Sequence, residues 1–564
     1  MKRFWLGGIA LGGIMLAPGA VADATTGRSA RDLIERPAVC GPRDAEDAGA
    51  PVADMVMVDG FGSGGFTIDT ASPEAQAWFN HGVRLRWAFE HTESVRAFRK
   101  ARLLDPTCAM CAWGEAWAIG PNLNGGGNGE DSRLAGLTAA RDARRMARRA
   151  TPMQRQMIDA LIQRYSGRED SRARRFAQAM DRIARRNPAD VAVAAIAADA
   201  WMLKADTWWD DEGKAADPGI ARAMDILEQA LARAPDDPGA IHLYIHLTEW
   251  SDDPHKAIPY GERLALLAPG ASHLVHMPSH TFFRVGRYRD AMMSNVNAVA
   301  LDQRYDMLAR PPGGVKGMPL HGHNIHFGMG GALMAGGAGQ GLPLASRFLT
   351  LYAAEPRLDT LWGQAMANNA YALFGRYGTA EQVADLPEPP ANRRVQRAGW
   401  RYARGEAAAR AGDSAAVRAE AGAIETLRSD LGAGGDDAFS VRFMTVFQRV
   451  LEGRAAMIDG DWSAADEAYA AAAALQAEGS EGGDPPVIWF PTRRSLAAAR
   501  LMAGDAAGAK AKILELLEDW PNDPYSYFVL AEAEAALGDA AAAAEARRRA
   551  RIEWIGGEMD LKLA

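Results

Sequence analysis

A spacing constrains this chain more than any other feature. Pro235 and Pro269 stand 34 residues apart (269 − 235), and Ala223, Ala257 and Ala291 recur at the same interval. Gly504 and Gly538 repeat it in the C-terminal third. A small residue where two helices cross, a glycine at a tight turn and a proline closing the unit are the punctuation of a helical hairpin. One such hairpin cannot bury its apolar face alone, so copies must stack into an array.

The first unit spells the pattern out. Trp78, Gly82, Leu85, Ser94, Phe98, Ala101 and Pro106 resemble the tetratricopeptide repeat, with His81 where that family usually has Leu. Gly286 with Ala291, Gly412 with Ala416, and Gly460 with Ala465, Tyr469 and Ala472 extend it. The resemblance implies an all-α, tetratricopeptide-type α-solenoid of helix-turn-helix repeats, with room for two superhelical halves. On that reading, residues 1–22 are a signal peptide and 23–70 a poorly structured N-terminal segment. A first solenoid follows over 71–345, then an irregular helical connection over 346–400, announced by Arg310-Pro311-Pro312-Gly313-Gly314, and a second solenoid over 401–564.

The export reading rests on Lys2 and Arg3 ahead of an apolar run from Phe4 to Leu16, then Ala20-Val21-Ala22 as a cleavage pattern. That run is short for a membrane span, and no later segment is apolar enough for one, so a periplasmic or secreted protein without stable membrane insertion is expected. A net charge of −8 and a pI near 5.9 argue against a nucleic-acid partner. The arginines between Arg141 and Arg186 read as a solvated helix face.

Eleven histidines occur in the 564 residues, and nine fall between His242 and His326. The repeat register gives them geometry. His242 and His246 take positions 5 and 9 of one first helix; His273, His276 and His280 take positions 2, 5 and 9 of the next; His323 and His326 take positions 2 and 5 of a third. In the tetratricopeptide family such positions line the concave groove, so the resemblance implies that these seven face one ligand, with Glu249 and Phe283 at position 12. Steps of three and four independently keep each set on one helix face. Pro278, inside the helix carrying His276 and His280, is the residue expected to disturb the stripe.

Neutral imidazoles suit copper or zinc, and Met277, Met292 and Met293 would favour copper. Trp113 and Trp117 offer an aromatic wall to the groove, although packing between repeats is the preferred reading. Cys108 and Cys111, three residues apart, are available for a disulfide or a soft-metal pair, and Cys40 is left over. Ala112 stands where a c-type haem site needs His. The motifs H-L-Y-I-H, H-L-V-H-M-P-S-H and H-N-I-H are similar to those of exported bacterial tetratricopeptide proteins. Three functions are therefore expected: a groove that binds copper, zinc or a small ligand; a peptide- or protein-binding scaffold without metal; or a metal-dependent enzyme on the same site.

Overall fold

The computed structural model describes residues 52–123, 126–429, 431–432, 434–478 and 488–564. The segment expected to be a signal peptide, residues 1–22, and Cys40 lie outside them. Every element of regular structure among the described residues is helical, apart from one isolated bridge between Trp209 and Ala215. Successive helices pack as antiparallel hairpins and stack into a tetratricopeptide-type α-solenoid.

The local chemistry explains where the helices start. Asp237 caps the helix Pro238–Thr248, its side chain accepting from Ala240 N while Pro238 occupies the first turn. Asp217 and Pro218, Ser72 and Pro73, and Asp523 and Pro524 repeat the device. An acceptor side chain satisfies an orphan N–H, and proline sits where its missing N–H costs nothing. The turns run as the spacing requires. Gly286 has φ +73°, and a Cβ there would collide with the Pro521 carbonyl oxygen.

Two expectations need correction. Part of the segment assigned as poorly structured is packed, with Met55, Val58, Phe61 and Ile68 buried. Ile68 N donates to Gln76 Oε1 (3.0 Å) and Thr70 Oγ1 to Asp105 Oδ2 (2.6 Å), tying it to the first hairpin. The span 346–400 is no irregular connection. Helices Ala338–Tyr352, Leu361–Tyr377 and Arg394–Arg410 pack successively on one another, and the proline-glycine break at 310–314 is only a short detour. The apolar interior divides earlier. One core runs from Met55 to Met277, with Tyr305, Val315 and Met318 added; the other runs from Phe282 to Ala564. The changeover falls between His276 and Phe282, inside the histidine-rich stretch. No helix among the described residues is long and apolar enough to cross a membrane.

Candidate metal centre

Four helical segments bring the histidines together. His242 and His246 lie on Pro238–Thr248, His273 and His276 on Ser272–His276, His280 on Pro278–Arg284, and His323 on His321–Ala335. Pro278 does interrupt the hydrogen-bond ladder: Met277 N still reaches His273 O (2.9 Å), but His280 N closes back on Met277 O (3.2 Å). The backbone nonetheless stays right-handed helical at Met277, φ −50° and ψ −39°. The tightened turn leaves His276 and His280 face to face, with Nε2 atoms 2.8 Å apart.

Their outer nitrogens are held by oxygen acceptors. Asn295 donates its amide N–H to Ala291 O (2.8 Å), which turns its Oδ1 toward His276 Nδ1 at 2.6 Å. Glu249 Oε1 takes His280 Nδ1 at 2.9 Å, and the Trp87 carbonyl takes His242 Nδ1. An acceptor facing Nδ1 fixes the hydrogen there and leaves the lone pair on Nε2. So the Nε2 atoms of His276 and His280 both present lone pairs to one point, and His323 Nε2 joins at 3.2 Å from His276 Nε2. Converging lone pairs repel unless a cation lies among them. Nitrogens bound ~2.0–2.1 Å from one tetrahedral ion stand about 3.3–3.4 Å from each other, so a bound ion would draw the His276 and His280 pair slightly apart.

A second set adjoins the first. Ligand atoms of His242, His246 and His273 lie within 4.8 Å of one another, as do those of His276, His280 and His323, and those of His246, Glu249 and His280. His242 Nε2 and both ring nitrogens of His273 are buried without a hydrogen-bond partner. Such orphaned nitrogens cost stability unless something occupies them. Burial holds the His242 imidazole down to about 3, against the contrary pull of its bond to the Trp87 carbonyl. Burial, and then the neighbouring imidazoles, push His273 and His276 well below the usual histidine range. These three imidazoles are therefore neutral at pH 7, as metal ligation requires.

The site differs from the expected open groove. His242, His273, His276 and His280 are buried, and only His246 and His323 are partly exposed. Two aromatic rings account for the enclosure. Phe89 lies against His242, His246 and His273 at centroid distances of 4.3, 5.5 and 5.1 Å. Phe327 lies against His276, His280 and His323 at 4.8, 4.6 and 4.7 Å. Phe89 holds φ +55°, a left-handed conformation costly for a bulky residue. Sequence reasoning missed Phe89, Phe327 and Asn295. Phe327 stands four residues beyond His323, so helical spacing was the available signal; nothing local marks Phe89 or Asn295.

Other expected members separate from the cluster. His326 turns away: its Nε2 meets Asn369 Nδ2 at 2.6 Å. At ~100° per residue, position 326 is rotated about 60° from 323, whereas 327 is rotated about 40° the other way. Phe283 is core, its ring 4.2 Å from that of Trp489. Trp113 and Trp117 are fully buried and stack on each other at 5.4 Å, so they join repeats and line no groove. Met277 packs in the first core, Met292 against Gly331 and Gly337, and Met293 on the second core. Cys108 and Cys111 form a disulfide, Cα atoms 5.4 Å apart.

Fold and cluster together define a tetratricopeptide-type α-solenoid with a buried polyhistidine centre where its two cores meet. No family model and no curated protein matches the chain. Among solved structures it is similar to human IFIT1 in its dimer with PPP-AAAA, at 13% identity over 92% of this chain and 93% of that one, TM-score 0.26. Yeast Tom70 is similar at 12% identity over 83% and 90%, TM-score 0.27. The APC/C hetero-tetramer Cut9-Hcn1 is similar at 10% over 85% and 96%, TM-score 0.22.

Proposed function

We propose that this protein is an exported, periplasmic or secreted, helical-repeat protein that retains a transition metal, copper or zinc, in its buried histidine centre. One observation carries the reading: the Nε2 atoms of His280 and His323 lie 2.8 and 3.2 Å from that of His276, while oxygen acceptors hold the opposite ring nitrogens of His276 and His280. A scaffold site for peptides would need these side chains at a surface, and four of the six are buried. Storage, carriage and metal-assisted catalysis all use the same ligands; three imidazoles leave the fourth position that catalytic ions keep open.

The test is metal analysis of protein from its native compartment, with copper and zinc titrations of the apoprotein and of the His276→Ala/His280→Ala variant. Retention by the native protein and loss in the variant are expected. Absence of both metals, with identical titrations of the two proteins, would overturn the reading.

A further inference from the structure

The centre has more nitrogen than one ion can use. Six imidazoles face inward, and a four-coordinate ion held by protein with one position open takes three. The six divide without remainder. His242, His246 and His273 converge as one set and His276, His280 and His323 as another. Each set has its own aromatic wall, Phe89 for the first and Phe327 for the second. Each also has one partly exposed member, His246 and His323, through which an ion can be exchanged. The sets abut: the His273 and His276 rings are stacked at 5.2 Å, and the His246 and His280 rings lie 5.3 Å apart.

Resting on the metal-binding reading above, we infer that the centre is dinuclear, holding two copper ions side by side, one on His242, His246 and His273 and the other on His276, His280 and His323. Glu249 is the carboxylate at the junction, since its oxygen groups with His246 of one set and His280 of the other. Charge selects the metal. Two divalent ions would place four positive charges in an enclosed site faced by one carboxylate, whereas two cuprous ions place two, nearer to balance. Imidazole suits copper, and a three-coordinate nitrogen site needs no further protein ligand for that ion. In the cupric state each ion keeps one position open, and because the two sets are adjacent the ligand class there is a single small bridging oxygen species, hydroxide being the simplest, whose charge with that of Glu249 offsets the added positive charge.

Stoichiometry tests this without any variant. Cuprous titration of the apoprotein should end at two copper ions per chain. After oxidation to the cupric state, half-loaded protein should give a paramagnetic resonance signal that weakens by at least ten-fold at full loading, because adjacent cupric ions couple through a shared ligand. His273→Gln and His323→Gln should each bind one copper and keep the signal. An endpoint of one copper per chain, with a signal that grows to saturation, would overturn the dinuclear assignment and leave the metal-binding reading standing. An ion lost on Glu249→Gln but kept in both histidine variants would place a single copper on His246, Glu249 and His280, also overturning it. Failure to bind copper or zinc at all would remove both readings.

Discussion

At the residue scale, the decisive groups are those that fix which imidazole nitrogen carries hydrogen. Asn295 does so for His276 without being a ligand. Replacing a residue that orients a metal-bound histidine typically costs 10–100-fold in affinity. Asn295→Ala should therefore weaken copper or zinc binding by about that factor in a chelator competition, and Asn295→Asp, which still accepts the Nδ1 hydrogen, should recover most of it. His81 supplies a contrasting case away from the centre. It fills the repeat's leucine position, is fully buried with neither ring nitrogen partnered, and burial lowers it from 6.5 to about 3. The unfolded chain then binds this proton first, so stability is fully present above pH 6.5 and falls as pH drops toward 3, by about 5 kcal/mol in total. His81→Leu should equal or exceed the wild type at pH 7 and gain about 2 kcal/mol on it by pH 5, in urea unfolding of both apoproteins.

At the element scale, the turn at Gly286 joins local conformation to long-range packing. Its φ of +73° strains any side chain, and a Cβ would strike the Pro521 carbonyl. Gly286→Ala should lose about 2–4 kcal/mol, read as a lowered urea midpoint; ordinary turn strain alone would cost about 1. Much of this layer was legible. Glycine spacing located turns at Gly286, Gly460, Gly504 and Gly538, all with positive φ. Proline after an acidic or hydroxyl residue marked helix starts. The repeat register also placed all six inward histidines beside one another, with Glu249. It failed at His326, where a rotation of a fraction of a turn separates ligand from packing partner. At Trp113 and Trp117 it left groove and packing both open with packing preferred, because a first-helix face looks alike in sequence whether a groove or another repeat covers it, and the structure shows packing. Asn295 was illegible for a different reason: its role depends on a helix crossing, and the sequence carries no distance between helices.

At the scale of the whole molecule, buried charge ties the second core together. Arg454 lies 3.1 Å from Glu406 Oε1, and its NH1 donates to the carbonyls of Lys562 (3.1 Å) and Ala564 (2.9 Å). Both charged side chains are essentially inaccessible, at 1% and 2% exposure. Arg454→Ala leaves Glu406 buried and unpaired and should cost about 3–5 kcal/mol in denaturant unfolding. Neutralising both with Arg454→Met and Glu406→Gln should recover much of that loss, since a missing partner is worse than a missing pair. The division into two cores was not readable where it was expected. The proline-glycine run at 310–314 suggested a boundary, yet the apolar residues change allegiance at Met277 to Phe282, because helix stacking and not loop composition decides which side chains touch.

The return of the C-terminal arm has a consequence in time. Asn522 Nδ2 donates to Val285 O (3.0 Å), the Tyr288 hydroxyl to Pro521 O (3.0 Å), and Ile555 N to Ala335 O (2.9 Å). An open solenoid assembles from neighbours and can start anywhere along its length. These contacts join segments more than two hundred residues apart in sequence, and closing so long a loop pays its entropy before any contact repays it. The histidine centre, whose protein ligands all precede residue 330, is complete before that closure is required. On the metal-binding reading proposed above, a nascent or refolding chain would hold its ions while its second half is still searching, and the arm would then bring Trp489 onto Phe283 and Phe327 beside a site already loaded.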